Sequence, residues 1–339
     1  MTAGRGYVGE SWTGWLFGAL QSMGYDMSRL SRGLPGINAA KTPGRLEIGS
    51  ARRLYHRLDR EARDPLLGYR LSLLLDEGAT GFLSPLLWQS PTLGDILNNI
   101  ARYQWTLSEN GGFSGRRDED PVSGQPIYVF EYVPVENAIT ANRHQMLLLI
   151  ATTVQIIRRI MRGRCDARWL ELPGTLDHRK IEDALTCESR PGSANLSIVF
   201  AAESLQMPVP IRDPALYELV RAYADKIAKS HTRKTDLITK IKHHVRQNGY
   251  ARANIIQIEA STGIHRRSLQ RILELDDLSF RAVKQEVIRD EAIRQLAISG
   301  GSVTETARAL GYSEPSAFHR AFVKWFDVTP SEFLSSEMQ

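Results

Sequence analysis

From about residue 233 to the end of the chain nothing reads as a strand, and within that stretch one pattern occurs twice. In NIIQIEASTGIHRRSLQRILE, residues 254–274, a short helical run reaches Gly263 and a second helix begins near residue 265. In SVTETARALGYSEPSAFHRAFVKWF, residues 302–326, the same arrangement turns at Gly311. Between them LSFRAVKQEVIRDEAIRQLA sets Phe280, Val283, Val287, Ala292 and Leu296 along one side of a longer helix. Glycine suits both corners because a tight turn between steeply crossing helices calls for a left-handed backbone. The pattern predicts two helix-turn-helix units joined by a long helix.

The second helix of each unit must keep one apolar face for its own core and leave the other polar. In the first unit Leu269, Ile272 and Leu273 form the inward set, which leaves Arg266, Arg267, Gln270 and Arg271 outside. In the second, Phe318, Phe322 and Trp325 face in and Ser316, His319, Arg320 and Lys324 face out. Arg and Gln can pair bidentately with guanine and adenine edges, and a major groove admits the helix that carries them. Charge points the same way. The net charge of the 339-residue chain is only +5, yet residues 229–271 hold ten Lys and Arg against Asp236 and Glu259. The competing explanation of these outward sets is the solvated face of a helical bundle.

The first two thirds of the chain mix helical and strand signals and predict an α+β domain. Trp12, Trp15, Leu16, Leu20 and Met23 repeat at helical spacing, residues 33–44 carry turn residues, and helical stretches follow at about 49–63, 66–77 and 92–108. NGGFSGRRDEDPVSGQP, 110–126, reads as a long polar loop. PIYVFEYVP alternates as a strand does. A helix is expected over 136–162, strands at RWLEL and NLSIVF, and a helix at DPALYELVRAYADKIAK. KSHTRKT, 229–235, has the polarity of a linker, and Thr235 with Asp236 can cap a helix that stops at Gly249. The expected division is therefore 1–228, a linker at 229–235, and an all-α domain over 236–339.

Composition excludes several classes. Apolar residues at 42% and charged residues at 24% are ordinary for a globular protein. Two cysteines, Cys165 and Cys187, make neither a disulfide framework nor a metal-ligand spacing. The longest apolar run, MLLLIATTVQII, is too short to span a bilayer, and the N-terminus lacks signal-peptide features, so a cytoplasmic location is expected and no membrane partner. There is no P-loop, GxGxxG after a strand, GxSxG or HExxH, and no catalytic residue, metal or cofactor is assigned.

GYSEPSAFHRAFVKWFDVTPSEF, 311–333, closely resembles the C-terminal signature of the AraC/XylS family of bacterial transcription regulators. The matching residues are Gly311, Tyr312, Phe318, Arg320, Phe322, Trp325, Phe326, Val328, Thr329, Pro330, Ser331 and Phe333, and the likeness extends back to about residue 236 through SLQRIL and LSFR. It implies double-stranded promoter DNA as the ligand of this region, with RNA polymerase and a second copy of the chain as further partners. Carried over by position, base-reading falls to Arg267, Gln270 and Arg271 in the first unit and to Pro315, Ser316, His319 and Arg320 in the second. Glu259, Thr262 and Thr306 stand where the family places small or apolar residues, which implies looser packing there. DPLLGYRLSL, SPTLGDILNNIARYQ and MPVPIRDPALYELV resemble a sensor domain of one branch of this family, described as arabinose-binding-like. That likeness implies a small-molecule effector and does not identify it.

Candidate effector contacts remain several. Trp88, Tyr103, Trp105, Tyr128 and Tyr132 can line an aromatic pocket or simply pack, and His144 beside Arg143 can hold an anion or lie at the surface. Arg158 and Arg162 form an RxxxR similar to the cyclic di-GMP-binding motif of PilZ domains, and NLS at 195–197 is similar to part of that family's second motif, though Phe200 replaces its Gly. Arginines four apart on one helix face can clamp phosphates. Two other readings stay open: a DNA-binding protein whose first domain only dimerises, and an enzyme domain fused to a DNA-binding one.

Overall fold

The computed structural model describes residues 7–32, 34, 44–134, 142–192, 195–248, 254–274, 279–326 and 328–337. The chain divides into two compact units, with the boundary between Lys226 and Ile227.

In the first unit β1 (Tyr7–Val8) pairs antiparallel with β2 (Leu46–Glu47). Helices α1 (Glu10–Ser22), α2 (Met27–Leu30), α3 (Ile48–Glu61) and α4 (Leu67–Leu73) share a core with residues such as Leu20, Leu30, Leu54 and Leu71, all fully buried. Helices α5 (Leu83–Trp88) and α6 (Leu93–Tyr103) follow. Thr92 starts α6 with a reciprocal cap: its hydroxyl accepts from the Asp95 N–H, and the Asp95 carboxylate accepts from the Thr92 N–H.

Strands β3 (Gly111–Glu119), β4 (Pro126–Pro134), β5 (Trp169–Leu172), β6 (Ser189–Pro191) and β7 (Leu196–Ala201) form one sheet in the order β3-β4-β7-β5-β6. Every neighbouring pair is antiparallel except β5 with β6. Helix α7 (Arg143–Met161) packs on β7 and on α4, and α6 on β3; α8 (His178–Leu185) lies between β5 and β6 in the chain.

The expected loop at 110–126 is half strand. Its glycines argue against a strand in isolation, but in register with β4 they leave room for tyrosine rings. A β-carbon on Gly111 would collide with the Tyr132 hydroxyl, and one on Gly115 with that of Tyr128. The aromatic rings cover the bare glycine backbone, a pairing that only the neighbouring strand can supply. The helix expected over 136–162 begins at Arg143, with residues 135–141 outside the described set, as are most of 33–44.

Helix α9 runs unbroken over Pro214–Asn248. The segment 229–235, expected as a linker, lies inside it, so Thr235 and Asp236 are mid-helix rather than caps. That stretch holds neither Pro nor Gly, and polarity alone does not interrupt a helix. In the second unit α10 (Ile255–Thr262), α11 (Arg266–Glu274), α12 (Phe280–Ile298), α13 (Val303–Ala309), α14 (Pro315–Phe326) and α15 (Pro330–Glu337) make two adjoining cores. Leu237, Ile241, Val245, Ile258, Leu269 and Leu273 meet Val283 and Val287 from the first half of α12. Ala307, Leu310, Phe318 and Phe322 meet Ala292 and Leu296 from its second half. One helix thus serves as a wall of both cores, which fits the apolar side expected along it.

Candidate functional site

Both corner glycines adopt the left-handed conformation the sequence calls for, Gly263 at φ 69° and Gly311 at φ 78°. Asn254 caps α10 by accepting from the N–H groups of Ile256 and Gln257, and Gly263 ends it by donating to the Glu259 carbonyl. Helix α11 then buries Leu269 and Leu273 completely and exposes Arg266, Arg267, Gln270 and Arg271. Helix α14 buries Phe318 and Phe322 and exposes Pro315, Ser316, His319, Arg320 and Lys324. Every residue assigned to DNA is therefore on a solvent-facing helix surface, and the apolar residues between them anchor that surface.

Two exposed residues ahead of these helices escaped the sequence reading. The His265 ring accepts from the Arg267 N–H at 3.3 Å through Nδ1, and its Nε2 stands 3.7 Å from a Glu259 oxygen. Glu314 accepts from the Ser316 hydroxyl at 3.2 Å. Both act on the first turn of the helix that follows; position two residues before a residue expected to read bases was the only signal available.

Thr306 is not loosely packed. It is fully buried, with Oγ1 3.1 Å from the Ser299 hydroxyl. Ser299 supplies a partner from the end of α12 that no local pattern shows. Thr262 has a side chain outside the described set.

The first unit contains a cavity of about 120 Å³, far above the ~10–15 Å³ that one water needs on such a measure. Its wall draws on α1, α3, α6, β3, β4 and α7 and is mostly apolar. Of the aromatic candidates, Tyr132 lines it, while Trp88 borders separate grooves. Tyr103 donates its hydroxyl to Asp225, and Tyr128 lies over Gly115. Tyr55 was missed: it lines the cavity from α3, and burial raises its pKa, as burial pushes Tyr132 up to about 12. Both phenols stay protonated across physiological pH.

The arginine clamp does not form. Arg158 is bound at 2.9 Å by the Asp166 carboxylate, and it donates at 2.5 Å to the Leu185 carbonyl. Arg162 ends α7 in a left-handed conformation at φ 52° and is exposed, so the spacing of four does not place the two on one helix face. The NLS triplet belongs to the start of β7, where Leu196 and Ser197 are buried. Nor do His144 and Arg143 make a surface anion site. Arg143 pairs with Asp59, and His144 is fully buried. Among the described residues no His, Cys, Asp and Glu cluster is placed to hold a metal, and no helix is long and apolar enough to cross a membrane.

Residues 24–209 match the model of the arabinose-binding domain of AraC transcription regulator, N-terminal, which is more than half of the chain. The chain belongs to the AraC family of transcription regulators. Residues 258–336 of this AraC-type chain also match a helix-turn-helix domain, a span that begins within α10 and ends within α15. Among its relatives, the uncharacterized HTH-type transcriptional regulator Rv1395 of Mycobacterium tuberculosis is 26% identical over 42% of this chain and 41% of its own length. The HTH-type transcriptional regulator VirS of the same organism is 26% identical over 44% of each. The chain spans about two fifths of the length of the curated relatives it matches first. The crystal structure of the transcriptional regulator CdpR from Pseudomonas aeruginosa is similar with a TM-score of 0.49, 18% identity, and coverage of 94% of this chain and 96% of that one.

Proposed function

We propose that this AraC-type chain binds duplex promoter DNA through α11 and α14, and that a small molecule held in the first unit controls it. The observation that carries the DNA reading is the paired exposure on the two helices. Arg267, Gln270 and Arg271 on one, and Arg320 with Ser316 and His319 on the other, stand clear of cores that fix their helices in place. Arg and Gln match guanine and adenine edges in the major groove, whereas Lys324, late in α14, suits a phosphate. The basic run over 229–271 supplies further phosphate contacts.

The cavity supports the sensor reading over a first domain that only dimerises, because a packed dimerisation domain has no need of an internal apolar space. RNA polymerase and a second copy of the chain are the remaining partners of this reading. Binding-site selection with the full chain, followed by affinity measurement from 50 to 300 mM salt, tests the DNA half. A selected motif with two major-groove contact regions and steeply salt-dependent affinity is expected. No selected motif, or salt-insensitive binding, overturns it.

A further inference from the structure

The cavity wall states what kind of molecule it takes, given that the cavity is the effector site proposed above. Several polar groups on that wall are already committed to the protein, while the Tyr55 and Tyr132 phenols also face it. Both ends of the Gln104 amide are used by Phe113, whose N–H donates to Oε1 at 2.6 Å and whose carbonyl accepts from Nε2 at 3.1 Å. Arg52 donates to Asn110 Oδ1 at 2.9 Å. The Thr13 hydroxyl donates to the Gly9 carbonyl, and the Thr153 hydroxyl to the Leu149 carbonyl one turn back in α7. Thr152, next in the chain to Thr153, differs. It lines the cavity and is buried, and its Oγ1 has no hydrogen-bond partner among the described residues. A buried hydroxyl left unpaired is disfavoured, so a ligand that pairs with it gains what the protein alone does not provide.

Size and wall chemistry narrow the class further. An apolar cavity of about 150 Å³ accepts benzene, so about 120 Å³ with side openings suits a compound of about one ring. Leu16, Leu83, Leu87, Ile100, Phe113 and Leu149 surround that volume and offer nothing to hydroxyls. A sugar carries a hydroxyl on nearly every carbon and would lose its water there without replacement. We infer that the effector is a neutral, mainly apolar molecule about the size of one ring, carrying a hydroxyl or carbonyl that pairs with Thr152. Neither a pentose nor a cyclic dinucleotide fits that description.

The test is calorimetric titration of the full chain with four probes: benzyl alcohol, toluene, benzoate and L-arabinose. Benzyl alcohol should bind one-to-one and about fivefold more tightly than toluene, the worth of one net hydrogen bond, while benzoate binds more weakly and arabinose gives no heat. In Thr152→Val the alcohol and toluene should become equal, with toluene binding unchanged. That readout separates a lost contact from a damaged fold. Met146→Trp, which fills the cavity from α7, should abolish binding of both and so place the probes. Tighter binding of benzoate or of arabinose overturns the inferred class while leaving a sensor in place. Equal binding of alcohol and toluene by the unaltered chain, or a preference that survives in Thr152→Val, removes the role of Thr152. Failure of all four probes to bind overturns the inferred class and leaves the sensor reading standing for a ligand of another kind.

Discussion

The Tyr103 hydroxyl donates to a carboxylate oxygen of Asp225 at 2.6 Å, which ties the end of α6 to α9. Arg102 reaches the same oxygen at 2.8 Å. Two further contacts run between these parts of the first unit: Asn99 donates to the Tyr217 hydroxyl at 3.4 Å, and the Phe82 ring meets Tyr223 edge-on. Helix α6 also borders the cavity through Ile100. Tyr103→Phe should lower the stability of the first unit by about 1–2 kcal/mol, since a hydrogen bond to a charged group is lost while Arg102 still pairs with Asp225. Denaturant unfolding followed on the first unit checks this. An unchanged midpoint would mean that the Tyr103 hydroxyl adds nothing to the junction beyond the other contacts.

In the second unit Thr306 and the half-buried Ser299 share a contact whose two ends are not equivalent. Ser299 also reaches the carbonyls of Leu296 and Ser302, each at 3.3 Å, whereas Thr306 has its hydroxyl bond to Ser299 only among the described residues. Thr306→Val should therefore be nearly neutral, within about 1 kcal/mol, because it removes the group that depends on the pair. Ser299→Ala strands the Thr306 hydroxyl and should cost about 1–3 kcal/mol. The double variant should recover most of that loss. Equal costs for the two single variants would contradict the asymmetry.

The polar faces of α11 and α14 should contribute differently to DNA binding. Arg267→Ala and Gln270→Ala should each cost about 1–3 kcal/mol and relax preference at one or two base pairs. Lys324→Ala should weaken all sequences about equally and reduce the salt slope by about one. Arg320 is the proposed base reader of α14, where Ser316 and His319 discriminate only modestly, so Arg320→Ala should broaden the selected motif less than Arg267→Ala does. Binding-site selection with these variants decides it; broadening only with Arg320→Ala reverses the ranking.

Acid should weaken the first unit through His144. Burial holds its imidazole below the ordinary value near 6.5, helped by Arg143 and opposed by Asp59 and Asp64. Its Nε2 stands 3.5 Å from an Asp59 oxygen without hydrogen-bond geometry. Above about pH 6.5 the ring is neutral folded or unfolded and contributes no pH dependence. Below it the unfolded chain takes up a proton that the folded chain refuses, so stability falls with pH until the depressed folded value is reached. Melting from pH 7.5 to 5.5 should drop more steeply in the unaltered chain than in His144→Met. Parallel curves would show that His144 does not titrate differently on folding.

Much of the second unit was legible in the chain itself. Helix periodicity links residues three and four apart, so the inward Leu269 and Leu273, the inward Phe318 and Phe322, and the polar faces opposite them follow from local spacing. Gly263 and Gly311 are corners for an equally local reason, a backbone conformation set by one residue. The Ser299 partner of Thr306 was less accessible, because it sits across the turn that joins two helices.

The first unit was decided by tertiary structure. Gly111 and Gly115 read as loop until Tyr132 and Tyr128 of the next strand cover them. Arg158 and Arg162 read as a pair until α7 ends between them and Asp166 takes the first. Val8, Arg52, Tyr132 and Thr152 share one cavity wall although they span well over a hundred residues of sequence. Spacing along a chain reports which face of one element a residue occupies. Which distant elements meet that face, and whether they leave a space or a salt bridge there, depends on packing between segments that carry no mark of each other.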